Sequence, residues 1–451
     1  MLPGAEVCRC WVPLHIGPAR EAGRTSLPVW SAPAAPCIFP RMSQAATKVM
    51  ALWVLRRLRA AGFQALFAGG CVRDMLLGQR SSDYDVATNA TPREVKRLFR
   101  RVLLVGAKFG VAMVIRDRRR VEVTAFRSDL SYSDGRRPDG VRFATARQDA
   151  ARRDFTINGL FYDPLEDRLI DYVGGRRDLE RKVIRTIGRP RRRFAEDYLR
   201  MIRAVRFAVR LGFSIAPATA KAIRELAPRI TGISGERIFD ELNKMLSLPS
   251  AADALRLLAE HNLAGAILPE LSCGDLWADA LRRVERLARR RDSALNLIGL
   301  LCELPPRTIS AVCRRWGASN ELRDAICWCA ECLSAWQIAV EMPLHRFKRL
   351  LVHKHWPRLL ELWAAEERLR TGKGNVSRRI ARRAAAIPAD QIAPPALVTG
   401  SDLKDLGLAE GPQLGEILRR VYDEQLDGKL ATRQSALARA REMIASDCGA
   451  F

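Results

Sequence analysis

From about residue 46 to 190 the apolar positions change period repeatedly; from about 191 onward they keep a single period. ATKVMALWVLRRLRAAG spaces its apolar residues three and four apart, which predicts a helix, and it leads into the short apolar strand ALFAGG. Thr91-Pro92 supplies an N-cap and a first-turn proline for a second helix through REVKRLFRR. GVAMVIRD and RVEVTAF predict strands, the second alternating apolar with polar, and LIDYVGG closes the region. Downstream, FAEDYLRMIRAVRFAVRLG, TAKAIRELAPRI, GERIFDELNKMLS and AADALRLLAEHN carry helical periodicity only. A Pro- and Ala-rich stretch at 387–397 marks a boundary before a last module. The expected fold is α+β: a head with a small mixed sheet (46–190), then an all-α neck (191–250), body (251–386) and tail (387–451). Residues 1–45 hold seven prolines and no sustained period, so disorder is expected there, with Met42 a sensible start.

Composition adds a partner class. Lys+Arg 76 against Asp+Glu 50 gives a formal charge of +26, which predicts a polyanionic partner. The excess is spread along the chain, so codon bias toward arginine contributes as well. Eleven cysteines without a framework, and no signal peptide, suit a reducing, cytoplasmic setting. Cys327, Cys329 and Cys332 read as small hydrophobes on a buried helix, because no second ligand pair or nearby histidine completes a zinc site. The five histidines form no His-Asp pair in sequence, which argues against a fused metal phosphohydrolase domain. No apolar run is long enough to span a membrane.

The chemistry concentrates in LFAGGCVRDMLLGQRSSDYD, residues 66–85. Asp83 and Asp85, at i and i+2 on an extended strand, project to one side and can share hard cations such as Mg²⁺. Gly69 and Gly70 let the backbone approach phosphate oxygens, and Arg73 adds a charged donor. Phosphate grip beside a carboxylate pair implies nucleotidyl transfer. Glu122, which points away from the face of Val121 and Val123, is the candidate third carboxylate; a solvent-facing strand residue is the equal alternative.

This segment resembles motif A of the class II tRNA nucleotidyltransferase and bacterial poly(A) polymerase family, within the DNA polymerase β-like nucleotidyltransferases. The resemblance continues through Arg152-Arg153-Asp154-Phe155-Thr156-Ile157-Asn158, Asp171-Tyr172-Val173-Gly174-Gly175 and Glu196-Asp197-Tyr198-Leu199-Arg200-Met201-Ile202-Arg203, and is dense over about 46–250. It implies that Arg153 contacts the triphosphate while Asp154 and Asn158 order the site and the sugar. It also implies a metal-dependent transfer of CMP and AMP, from CTP and ATP, to the 3′ end of tRNA. The alternatives are a poly(A) polymerase acting on RNA 3′ ends and an A-adding tRNA enzyme. In the CCA-adding branch a segment like 126–143 (Arg127, Asp129, Tyr132, Asp134, Arg136, Pro138) is the flexible element that helps switch from C to A.

Asp197 and Arg200 carry a base-reading argument of their own. An ionised Asp accepts and Arg donates, which matches the exocyclic amine and bare ring nitrogen of cytosine and adenine and mismatches uracil and guanine. A surface ion pair is the plainer reading. Arg203 and Arg206 continue the row toward phosphate or sugar. In the tail, TGSDLKDLGLAEGPQLGEILRRV offers Ser401 as an N-cap and turn amides suited to a tRNA backbone; a packed helical pair is the alternative.

Overall fold

The computed structural model describes residues 44–81, 83–104, 110–129, 140–272 and 274–448. Of residues 1–45, where disorder is expected, 1–43 lie outside the described residues and Gln44 and Ala45 instead open the first helix; residues 130–139 of the expected flexible element also lie outside the described residues.

In the head, helix α1 (Gln44–Ala60) buries Met50, Ala51, Val54, Leu55 and Leu58, one stripe at helical spacing. Strand β1 (Ala65–Ala68) runs into α2 (Gly70–Leu76), and β2 (Asp85–Thr88) into α3 (Pro92–Leu98). Thr91 caps α3 in a reciprocal capping box with Glu94, with Pro92 in the first turn. Then come β3 (Val102–Leu103), β4 (Val111–Arg116), β5 (Arg119–Ala125), the ribbon β6 (Arg127–Asp129) and β7 (Val141–Phe143), and α4 (Ala146–Arg152). Strands β8 (Leu160–Asp163) and β9 (Arg168–Asp171) complete a seven-stranded sheet of order β3-β4-β5-β2-β1-β8-β9. Every neighbouring pair is antiparallel except β2–β5, so the sheet is mixed.

Strand alternation sorts the sheet into two faces. Phe67, Val86, Val121 and Val123 pack under α1 and α3. Leu66, Ala68, Ala87 and Phe161 pack with Ala146 and Ala150 of α4. After β9, the Asp171 carboxylate accepts from four successive N–H groups, Val173 to Arg176, and so fixes the turn into α5 (Gly175–Glu180). A Cβ on Gly175 would lie 2.1 Å from the Thr156 carbonyl oxygen, so this contact needs glycine.

Strand β10 (Val183–Ile184) pairs in parallel with β11 (Ser214–Ile215), a short strand inside the region whose sequence shows only helical period. Two-residue strands leave no readable alternation. Helix α6 (Pro190–Glu196) and helix α7 (Leu199–Leu211) replace the single helix expected over this stretch. The chain breaks at Asp197, which is extended (φ −159°, ψ 105°). Its Oδ1 accepts from Leu199 N at 3.1 Å, a side-chain bond that competes with the helix ladder.

Helices α8 (Pro217–Leu226) and α9 (Gly235–Leu246) and the helices from Ala251–Glu260 to Asn375–Ala385 share one apolar core, with Trp316 and Trp363 fully enclosed. Within it, buried Arg283 pairs with Glu366 at 2.5 Å and Glu303 at 2.6 Å. The tail helices Gly400–Asp405, Pro412–Leu426 and Arg433–Cys448 build a separate core around Leu403, Ile417 and Val421. The first of them starts two residues earlier than expected, because Thr399 rather than Ser401 is the N-cap, its N–H held by Asp402 at 2.8 Å. Among the described residues no helix is long and apolar enough to cross a membrane.

Candidate active site

Strand β1, the α2 turn, the α4 end and α7 converge on a cleft of 530 Å³. All ten candidate nucleotide-binding residues line it: Gly69, Gly70, Arg73, Arg153, Asp154, Asn158, Asp197, Arg200, Arg203 and Arg206. Asp85 lines it too; Asp83 and Glu122 stand outside its walls. Nine arginines against three aspartates make the lining strongly cationic, as a polyphosphate site requires.

At the floor, Gly69 takes φ +72°, and a Cβ there would sit 2.8 Å from Arg153 Nη1. The missing side chain is therefore the space the guanidinium occupies. Arg153 is aimed by buried Asp149, whose Oδ2 accepts from its Nε and Nη2 at 3.1 and 3.0 Å. The same carboxylate holds Arg152 Nε at 2.9 Å. Arg73 is buried and gives its Nε and Nη2 to Asp74 and its Nη1 to Asn158 Oδ1 at 2.7 Å. Asn158 Nδ2 passes the chain on to Asp154 Oδ1 at 3.0 Å. Arg203 then closes on Asp154 Oδ2 with two donors at 3.0 and 2.7 Å.

Burial alone would raise the Asp154 carboxyl, but the Arg203 charge and the bonds from Asn158, Arg203 and Phe155 N hold it down at about 2. Burial also lowers Arg73 and Arg206, opposed by Asp74 and Glu241 respectively. Arg206 meets buried Glu241 at 2.5 Å. Arg73, Arg203 and Arg206 all lie over the Phe207 ring, 5.1, 5.4 and 4.3 Å from its centroid. Arg203 and Arg206 are thus tied to carboxylates as well as facing the cleft.

Asp197 and Arg200, expected to read the base as two neighbours on one helix, are arranged differently. Asp197 lies in the break before α7 and Arg200 in its first turn. Asp197 Oδ2 accepts from Arg237 Nη2 at 2.9 Å, and Arg200 Nη1 reaches Glu196 and the Arg193 carbonyl, each at 2.9 Å. Both still line the same wall.

A model for the poly(A) polymerase head domain matches residues 65–185, one described as "Probable RNA and SrmB-binding site of polymerase A" matches 212–273, and one for tRNA nucleotidyltransferase domain 2 matches 289–440. The CCA-adding enzyme of Lactobacillus helveticus is 32% identical over 404 residues, covering 87% of this chain and 96% of that enzyme. The chain belongs to the tRNA nucleotidyltransferase and bacterial poly(A) polymerase family. The crystal structure of the Bacillus stearothermophilus CCA-adding enzyme in complex with CTP superposes with a TM-score of 0.73 at 30% identity, covering 91% of this chain and all of that one. Poly(A) polymerase I of Escherichia coli is 42% identical over 234 residues, 49% of this chain and 50% of that enzyme.

Nucleotidyltransferases of this family use a divalent metal, and the carboxylates here suit one. Val86 pairs with Val123, so one step back along the same register Asp85 stands beside Glu122, on the α4 face of the sheet. The Asp85 carboxyl is pushed up to about 6, first by burial, then by the Glu122 charge, with Asp83 adding to it and Arg153 opposing it. Carboxylates that repel one another in a half-buried site are relieved by a hard cation. Among the described residues no three ligand groups close on one point. A hard divalent cation suits such a half-built site when it takes one or two carboxylates and completes its shell with substrate phosphates. Asp83 is exposed and precedes β2 instead of lying within it.

Sequence reasoning missed Arg210, Arg237, Asp149 and Glu241. Arg210 pairs with Asp74 at 3.2 Å and extends the row of Arg203 and Arg206 by one turn, so periodicity held the signal. Arg237 sits 40 residues from its partner Asp197, and nothing local announces it.

Proposed function

We propose that this chain transfers CMP and AMP from CTP and ATP to the 3′ end of tRNA, without a template and with Mg²⁺, building or repairing the CCA terminus. The observation that carries this is one cleft holding a phosphate-binding arginine cluster, an acidic edge and a donor–acceptor pair suited to cytosine and adenine. The Gly69–Arg73 turn and Arg153 grip the triphosphate. Asp154 and Asn158 order the sugar, with Arg203 and Arg206 flanking them. Asp197 accepts from the exocyclic amine, while Arg200 donates to the ring nitrogen; Arg237 and Glu196 aim the two side chains. Asp83 and Asp85, with Glu122 beside them, would hold Mg²⁺, which when bound supplies charge to activate the primer 3′-hydroxyl and to stabilise departing pyrophosphate. The primer oxygen attacks the α-phosphorus, and the bond to the pyrophosphate oxygen breaks. The helical body and the tail bind the tRNA, the tail at its elbow, and the reaction is cytoplasmic.

A second reading, poly(A) addition, draws on the 42% identity to a poly(A) polymerase. The test is to give the protein Mg²⁺ with CTP, ATP or both and tRNA lacking CCA, CA or A, beside an oligo(A) primer. Growth that stops at CCA supports the first reading. An ATP-only ladder replaces it with the second, and a single A added only to CC-ended tRNA makes this an A-adding enzyme.

A further inference from the structure

The ribbon of β6 and β7 carries an aromatic ring that the reading above leaves unused. Phe143 stands directly across the ladder from Arg127, and residues opposite one another in an antiparallel pair project from the same face. Arg127 lines the cleft, so that face of the ribbon, Phe143 included, stands at the cleft rim. The ribbon is pinned at its base. Phe126 N donates to the Thr88 carbonyl at 2.6 Å, Ala144 N to the Phe126 carbonyl at 2.9 Å, and Arg127 N to Asp149 at 3.3 Å. Asp149 also aims Arg153, so the ring's support and the triphosphate grip share one buried carboxylate.

Phe143 is 51% exposed, and among the described residues no other ring or guanidinium lies against it. A flat apolar ring in water, beside a cation, at the rim of a polyanion site, has the composition of a single-strand stacking platform: a π face for the base and a charge for the phosphate. Two nucleobases approach this cleft. The triphosphate's own base is assigned to Asp197 and Arg200 on the α7 wall, which leaves the primer's base for the rim. The geometry points to Phe143 as the platform on which the 3′-terminal nucleobase of the RNA stacks, with Arg127 beside it for the adjoining phosphate. This rests on the reading that the cleft receives an RNA 3′ end.

The test places 2-aminopurine at the 3′ terminus of a tRNA acceptor-stem RNA and follows its fluorescence, which stacking quenches, as full-length wild type, Phe143→Ala and Phe143→Tyr are added without nucleotide. In parallel, KM for RNA and KM for CTP are measured in single-nucleotide addition. Expected are quenching by wild type and Phe143→Tyr, and about fivefold or greater weakening of RNA binding and rise in RNA KM for Phe143→Ala, with CTP KM unchanged. Equal quenching and equal RNA KM for Phe143→Ala overturn the assignment, as does a rise in CTP KM alone. Quenching is read without turnover, so failure of the platform is distinguishable from failure of the nucleotidyl-transfer reading, which would show as wild type adding nothing to any RNA. Matching circular dichroism and melting of the three proteins exclude a folding defect.

Discussion

Replacing Asp85 with Asn should make the metal-free protein more stable while abolishing transfer. The Asp85 carboxyl ionises at about 6 instead of 3.8, because burial disfavours the charge and Glu122 and Asp83 repel it more than Arg153 attracts it. At about 1.4 kcal/mol per tenfold in the ionisation constant, that difference is about 3 kcal/mol, and partial exposure of the side chain reduces it to about 1–2 kcal/mol. The sign follows from which state holds the proton. Between the two values the folded protein binds the proton more tightly than the unfolded chain, so the Asp85 contribution to stability falls as pH rises through this window. It is smallest above about pH 6, where both states are ionised and the folded one bears the full repulsion. Asn carries no such charge. Melting in EDTA at pH 7.5 should therefore rise by about 1–2 °C in Asp85→Asn, and the gain should shrink to about a third at pH 4.5. Mg²⁺ should raise the melting temperature of wild type and leave that of the variant unchanged. A variant that in EDTA at pH 7.5 melts with or below wild type, or gains as much at pH 4.5 as at 7.5, refutes the account of a strained acidic edge awaiting a cation.

Gly69→Ala forces a side chain onto a φ of +72° and into Arg153 Nη1; it should cost about 1–2 kcal/mol of stability and weaken CTP binding about tenfold or more, as calorimetric titration would show. Arg283→Met removes the buried cation between Glu366 and Glu303 and leaves them only the more exposed Arg370, and urea unfolding should show a loss of about 3 kcal/mol; an unchanged midpoint would mean that the Arg283 pairs are expendable. Burial pushes the Cys71 thiol up to about 11 and Cys302 up to about 12, so neither should react with an aromatic disulfide reagent at pH 8 until the protein is unfolded, as mass spectrometry of the labelled peptides would reveal.

Much of the head was legible because its signals are local. The Thr91-Pro92 start of α3, the alternation of β5 and the Gly69-Gly70 turn each depend on a few adjacent residues, and the structure places them where those residues indicate. Residues 66–85, with Arg153, Asp154 and Asn158, named most of the cleft floor for the same reason. The break between α6 and α7 was illegible, since a continuous apolar stripe hides it and only the Asp197 side chain, bonded to Leu199 N, reveals it. Glu122 was ambiguous in sequence because one exposed strand residue looks like another; its place beside Asp85 comes from the parallel pairing of β2 with β5, strands separated by more than 30 residues.

What the sequence determined by itself is therefore the period of each element, the turn chemistry, and the residue types that nucleotidyl transfer needs. What only the tertiary structure decided is which charges meet: Arg203 on Asp154, Arg237 on Asp197, Arg210 on Asp74, Asp149 under Arg153. Periodicity records which side of an element is apolar, so it is written into neighbouring residues. A buried ion pair joins side chains from different elements, and its partner is chosen only when those elements pack.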